Sequence, residues 1–311
     1  MEQSPLIKDG AIHLGIYILL MIMTLWLPVA GLISLFFLAI PFIFFTKKHG
    51  LKAGITLATL SFFLLFIIIG PIALPLSFTF AASGVVIGEG YRRNREAFAV
   101  LLGGSLSFIT AFILIYVGSI LILDVNPIEG FQDVMMESTE MTEDLLVVMG
   151  DEQGEALEMA HEFIDGLVVI APTLMIIVGV IFAFIVQIIA GALLRKKHRD
   201  VNRFPPLREW SFPKAFIWYY LLTYLFILIG VDEGTALHTV VANLRPILDV
   251  VMVIQGLALM FFYFHFKRWS IVIPVILVVI SFLFPIFLHI LRILGIIDLG
   301  FDLRKRMNAQ K

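Results

Sequence analysis

Cysteine is absent from this 311-residue chain, which excludes disulfides, thiolate metal sites and cysteine nucleophiles. Charge is scarce as well. Asp, Glu, Lys and Arg make up 15% of the residues against 60% hydrophobic, and phenylalanine alone occurs 29 times. A soluble domain is about half apolar and a quarter charged, so this balance excludes an ordinary water-soluble globule and points to the bilayer. No Walker loop, HExxH, GxSxG or carboxylate-rich metal constellation occurs. An enzyme or an ATPase is therefore disfavoured, with no catalytic residue, cofactor, metal or nucleic-acid partner expected.

Basic residues are missing from one long stretch. No lysine or arginine lies between Glu96 and Leu194, while Asp124 to Asp165 carries 13 of the 24 acidic residues. Such segregation carries topological information, because cytoplasmic loops collect Lys and Arg.

What is present is a succession of long apolar runs. Residues 11–45 as one straight helix would measure roughly 52 Å against about 30 Å of hydrocarbon, so the run is expected to fold back at Pro28–Gly31. The same logic splits 53–88 where Gly70, Pro71 and Pro75 interrupt it. Further spans are expected at 97–123, 166–194, 214–231 and 246–266. The last run, 269–297, is one tilted span or two short ones meeting at Pro285. The first apolar run is too long for a signal-peptide core and reads as an uncleaved span. The reading is an all-α, polytopic transmembrane bundle of about 8–10 spans, forming one integral membrane domain over residues 1–311. With the N-terminus inside, the inner segments hold 20 of the 22 Lys and Arg residues. The acidic, amphipathic segment 124–165 then lies outside, the basic loop 195–213 is cytoplasmic, and an even number of spans returns the C-terminus to the inside.

The two remaining basic residues, Arg245 and Arg292, fall within apolar runs. In "NLRPILDVVMVIQG" Pro246 suits a first helical position. That places Arg245 at a helix start, where a cation opposes the dipole, with Asp249 one turn on as its nearest partner. Gln255 lies about a turn and a half deeper. Ionisable residues within spans are costly and commonly functional, so Asn243, Arg245, Asp249 and Gln255 form the candidate ligand site, with a satisfied structural ion pair as the alternative. His13, His238, His265, His289 and Arg292 read as interface or packing residues.

Segment 127–165 places Ile128, Phe131, Met135, Met141, Leu145, Val148, Leu157, Phe163 and Ile164 at helical spacing, as in an amphipathic pair over the outer surface. It serves as a lid or as a plain cover. Glu158, His161, Glu162 and Asp165 have spacing that permits a metal, but no second histidine cluster supports one. The elbow 202–220 combines Pro205, Pro206 and Pro213 with Arg203, Arg208, Trp210 and Lys214, as expected of an interfacial anchor or a docking surface. Ala11-x-x-x-Gly15 and Gly84-x-x-x-Gly88 are small-residue pairs that allow close helix approach.

The elbow "FPPLREWSFPKAFIWYY", the span "QGLALMFFYFHF" and the ending "LGIIDLGFDLRKR" resemble the YybS-like family of bacterial integral membrane proteins, a family without assigned function, and the likeness runs the whole length. That family is in turn distantly similar to the S-components of energy-coupling-factor transporters. The resemblance implies an S-component-like core in the bacterial plasma membrane that takes a small, here anionic, solute from outside. A transmembrane coupling protein and cytoplasmic ATPases would supply the energy. Docking on the coupling protein would use a small-residue face of the first span, here Ala11 and Gly15, with Arg203, Arg208 and Trp210 as further docking candidates. The competing reading is a non-transporting membrane adaptor or regulator.

Overall fold

The computed structural model describes residues 3–149, 154–196 and 201–309, with side chains over 5–143, 157–196 and 201–307. Among these residues every regular element is helical. Helix α1 (Gln3–Trp26) stops before Pro28. Leu27 is held extended there (φ −114°, ψ 102°), as clash with a following proline ring dictates. Helix α2 (Pro28–Leu35) restarts with proline in its first turn, where the missing N–H costs nothing, and α3 (Ile40–His49) carries the chain onward. Gly50, at φ +90°, makes the tight junction to α4 (Leu51–Ile68), a backbone conformation that glycine adopts without steric cost. The expected break at 70–75 follows as one 3₁₀ turn before α5 (Leu74–Arg92). Then come α6 (Ala97–Leu123), α7 (Pro127–Met149) and α8 (Gly154–Lys196). The remainder comprises α9 (Ala215–Ile229), α10 (Ala236–Phe266), α11 (Val272–Leu283), α12 (Pro285–Phe301) and α13 (Leu303–Ala309).

Among the described residues seven helical segments are long and apolar enough to cross a membrane: Pro5–Trp26, Pro28–His49, Leu51–Ile68, Pro71–Arg92, Ala97–Leu123, Leu157–Lys196 and Ala236–Phe266. The pair α11–α12, bent by 119° at Phe284–Pro285, makes an eighth if it is one broken span. Helix α9 is apolar but has only 15 residues, or about 22 Å. The chain is thus an all-α polytopic membrane protein.

Two sequence expectations are corrected. The second half of the acidic segment is not a separate surface helix, because α8 runs unbroken for 43 residues from that segment through the span. Helix α10 begins ten residues before Pro246. Thr235 caps it, its hydroxyl accepting from the His238 N–H at 3.1 Å, so Pro246 and Arg245 lie inside the helix rather than at its start.

The chain divides into two compact units, Met1–Leu167 with Leu174–Phe204, and Val168–Thr173 with Pro205–Lys311. The first unit is built around α5, which is buried on most sides by Ser77, Phe80, Ser83, Gly84, Ile87, Gly88 and Tyr91. Gly84 and Gly88 let α3 come close: a Cβ there would stand 2.7 Å from the Ala39 carbonyl oxygen and 2.8 Å from that of Ile43. Around this contact Tyr17, Phe42, Phe80, Phe108 and Phe182 form an aromatic interior. Asp9 bonds Lys48 and His49, tying the start of α1 to the end of α3, and Glu89 grips Arg92 and Arg93 at 2.6 Å each.

Helix α7 meets the start of α8 through Gln132 and Met136. Gln132 Nε2 donates to the Ile164 carbonyl at 2.6 Å, and Met136 Sδ faces His161 Nδ1 at 3.0 Å. Ile164 is buried and Ile128, Met135 and Leu157 are half-buried, but Phe131, Met141 and Phe163 remain exposed. The side chains of Leu145 and Val148 fall outside the described residues. Glu158, Glu162 and Asp165 are exposed, and no metal-sized group of acids and histidines forms among the described residues.

The second unit centres on the crossing of α10 and α12. Gly256 and Gly295 meet so tightly that a Cβ on Gly256 would lie 1.9 Å from the Leu291 carbonyl oxygen, and one on Gly295 would lie 2.0 Å from that of Met252. Asp249 meets Arg292 and Gln255 meets Asp298. Each pair is 43 residues apart in sequence, and the direction of that offset means that α12 runs parallel to α10. Helix α11 therefore leads the chain back along the bundle before Pro285 turns it into α12.

Candidate functional site

The four residues expected to line one ligand site perform three different jobs. Asn243 is a clamp within the second unit. Pro172 has no N–H and disturbs the hydrogen-bond ladder of α8 at that point. Asn243 inserts its side-chain amide beside it, Oδ1 accepting from the Thr173 N–H at 3.1 Å and Nδ2 donating to the Val169 carbonyl at 2.7 Å. Those two groups are the i and i−4 partners of the helical ladder, so the amide bridges one rung of it. Nδ2 also reaches the Thr239 carbonyl at 2.9 Å, and the Thr173 hydroxyl bonds the Asn243 carbonyl at 2.6 Å and Oδ1 at 2.9 Å. Both Nδ2 hydrogens are used and Oδ1 accepts from the Thr173 backbone, so Asn243 has no donor left to offer a ligand.

Gln255 is a strut. It is 1% exposed, its Oε1 accepting from the Phe212 N–H at 3.0 Å and its Nε2 donating to Asp298 Oδ2 at 2.5 Å. Arg304 completes the arrangement. Its Nε and Nη2 reach the same Asp298 oxygen at 2.9 and 2.7 Å, and its Nη1 donates to the carbonyls of Trp210 and Arg208 at 2.7 and 3.2 Å. Trp210 Nε1 donates to the Pro205 carbonyl at 2.9 Å, and Lys214 bonds Asp302 at 2.5 Å. The proline-broken elbow has few backbone partners of its own. The Gln255 amide and the Arg304 guanidinium supply them, and the buried Asp298 carboxylate holds both, fastening the elbow to α10 and α12. Arg203 is exposed, Arg208 is half-buried with Glu209 at 3.8 Å, and Trp210 is half-buried. Ala11 and Gly15 lie exposed on α1, with nothing within 4 Å of the space a Gly15 Cβ would fill.

Arg245 and Asp249 are the pair brought together, but with a third member that sequence spacing assigned to packing. Arg292 Nη1 bonds Asp249 Oδ1 at 3.0 Å, whereas Arg245 Nε stands 3.9 Å from Oδ2. The Tyr224 hydroxyl accepts from Arg292 Nη1 at 2.9 Å and donates to Asp249 at 3.3 Å. Tyr220, one turn earlier on α9, stacks on Tyr224 at 4.6 Å. Arg292 Nη2 lies 2.6 Å from His289 Nδ1. A guanidinium only donates, so Nδ1 is the acceptor in this contact.

Three apolar helices thus converge two arginines, one carboxylate, two tyrosines and one histidine. The formal sum is one positive charge, two guanidiniums against one carboxylate. That charge sits at Arg245, whose side chain is 51% exposed against 16% for Arg292. Its guanidinium lies 5.7 Å from the centroid of the Tyr224 ring. Among the described residues its fork has no hydrogen-bond partner. A signal for Arg292 was available: it and Arg245 are the two basic residues that the loop-charge pattern leaves unplaced. The tyrosines gave none, since an i, i+4 aromatic pair also suits an interfacial belt.

The family model described as predicted membrane protein (DUF2232) matches residues 15–299. The uncharacterized protein YybS of Bacillus subtilis (strain 168) is 30% identical over 309 residues, covering 99% of this chain and 100% of that protein. No solved structure matches.

Proposed function

Because the chain belongs to the DUF2232 family of predicted membrane proteins, we propose that it is a membrane-embedded capture component for an anionic ligand. Arg245 is the receiving group, and Asp249, Arg292 and Tyr224 form its rigid base. The observation that carries this reading is the charge imbalance. Asp249 already accepts a 3.0 Å bond from Arg292 and a hydroxyl from Tyr224, leaving the Arg245 fork without a hydrogen-bond partner among the described residues of an apolar unit. Such a cation is costly unless an anion completes it, and the planar fork suits bidentate recognition of carboxylate or phosphate.

The six long apolar segments from Pro5 to Lys196 supply helices for the S-component-like core that the family resemblance implies. With no nucleotide-binding motif on the chain, energy comes from a partner in trans. The open Ala11–Gly15 face of α1, the exposed Arg203, and the fastened elbow with Arg208 and Trp210 are its docking candidates. Such a partner equally serves an adaptor, and the rigid presentation of the elbow is the feature that favours that second reading.

Native mass spectrometry of the protein gently extracted from its host tests the choice. Retention of an anionic molecule that Arg245→Ala loses, with thermal stability preserved, is the expected result. A stoichiometric protein partner, with no ligand dependent on Arg245, would establish the adaptor instead.

A further inference from the structure

We infer that the anion taken by Arg245 is the headgroup phosphate of an anionic phospholipid. This rests on reading Arg245 as an anion receptor and adds the chemical class of the ligand.

The surroundings of the cation argue for an amphiphile. On α9 the residue one turn beyond Tyr224 is Leu228, 83% exposed, followed by the exposed Ile229. On α12 the parallel offset of 43 residues sets Arg245 level with Leu288, in the first turn of the helix. Phe284 and Ile286, at the tip where that helix begins, are exposed as well. The way to the guanidinium therefore passes hydrocarbon side chains from two helix ends. A site for a water-soluble solute pairs its anchor charge with several convergent polar groups. Here the neighbouring polar groups are spent or out of reach: the Tyr224 hydroxyl on Asp249 and Arg292, the Arg292 Nη atoms on Asp249, Tyr224 and His289, and the Asn243 donors on the carbonyls of Val169 and Thr239, while Arg292 Nε, which has no partner among the described residues, is buried from any ligand. What remains is one cation and an apolar rim, the complement of a phosphate carried on acyl chains.

Two further features point the same way. Helix α12 begins at Pro285 without a side-chain cap, so its positive end lies level with the Arg245 guanidinium and adds to the local preference for an anion. The Arg245 side chain also lies over the Tyr224 ring, which orients the fork at little entropic cost. Basic sites between membrane helices that bind lipid headgroups use this combination of chemistries.

The test uses the full-length protein in detergent, titrated with phosphatidylglycerol or phosphatidylcholine and read by native mass spectrometry, with inorganic phosphate in a parallel arm read by thermal shift. The expected result is one phosphatidylglycerol retained in preference to phosphatidylcholine. Arg245→Ala reduces that preference roughly tenfold or more, while Arg245→Lys, with the charge but without the fork, keeps part of it. Lys52→Ala, at an exposed cation of α4, leaves it unchanged. Equal phosphatidylglycerol retention by wild type and Arg245→Ala overturns the lipid assignment. If inorganic phosphate then stabilises the wild type and not Arg245→Ala, the anion receptor stands and the lipid falls. If neither ligand distinguishes the two proteins, both fall.

Discussion

At the scale of single residues, Asp249 and Arg292 matter more to each other than either does to Arg245. Their 3.0 Å bond joins α10 to α12, with the side chains 23% and 16% exposed. Removing one partner strands the other among apolar helices, at a cost of about 3–5 kcal/mol for a well-buried pair. Arg292→Ala should therefore lower the unfolding temperature sharply, and pairing it with Asp249→Asn should recover part of the loss. A double-mutant cycle on thermal unfolding measures that coupling, and additive losses would refute it. Arg245→Ala belongs to the opposite class, since a 3.9 Å contact on a half-exposed side chain holds little structure. The sequence made Asp249 visible as a carboxylate in an apolar run. The identity of its main partner stayed hidden, because Arg292 is 43 residues away and only the α10–α12 register brings it near.

At the scale of elements, the crossing of α10 and α12 depends on two hydrogen atoms where other residues carry side chains. Gly256→Ala would press a methyl group to 1.9 Å from a backbone oxygen, and backbone cannot rotate away as a side chain does. A loss of about 3 kcal/mol or more is expected. Gly118→Ala in α6, with nothing within 4 Å, should be neutral or mildly stabilising. Thermal unfolding of the two variants side by side checks the contrast, and equal behaviour would refute the tight crossing.

The elbow offers a pH prediction. The hydrogen bond from Lys214 holds the Asp302 carboxyl below its ordinary value of 3.8. A depressed folded pKa contributes stability that is complete above the unfolded value and is lost as pH falls through the folded one. Amide-exchange protection of residues 205–214 should thus be flat from about pH 5 to 8 and decline only in strong acid. Asp302→Asn should lower the protection at neutral pH and remove that decline.

At the scale of the whole molecule, the segregation of charge predicts an orientation that the missing cysteines make easy to test. Single cysteines introduced at Lys52, Arg203 and Arg306 are expected to react only with reagents admitted to the cytoplasm, and those at Glu129 and Glu233 with impermeant reagents from outside. Arg306 reacting from outside would break the even number of crossings. The parallel run of α10 and α12 bears on the same count. A chain that turns at Pro285 and runs back beside α10 brings residues 302–309 to the end of the bundle toward which α10 itself runs.

Most of the helical layout was legible in the sequence, because each break there has a local steric cause. Pro28 forces Leu27 to extend, Gly50 and Gly70 take positive φ, and Pro285 starts a helix. Composition likewise determined the membrane class, since no local fold hides so much apolar surface from water. The start of α10 escapes a reading by sequence because proline in a long helix looks like a beginning, while its true cap, Thr235, stands in an unremarkable polar turn. The division of Asn243, Asp249 and Gln255 into clamp, ion pair and strut was decided only by tertiary structure. Along α10 these residues are a few turns apart on one helix, and spacing treats them as a set. Their partners come from α8, α12 and the elbow, and a hydrogen-bonding side chain takes its role from whichever backbone or charge the fold delivers to it. Sequence periodicity encodes which face of a helix turns inward; what waits on the other side is settled by the register of helices far apart in the chain.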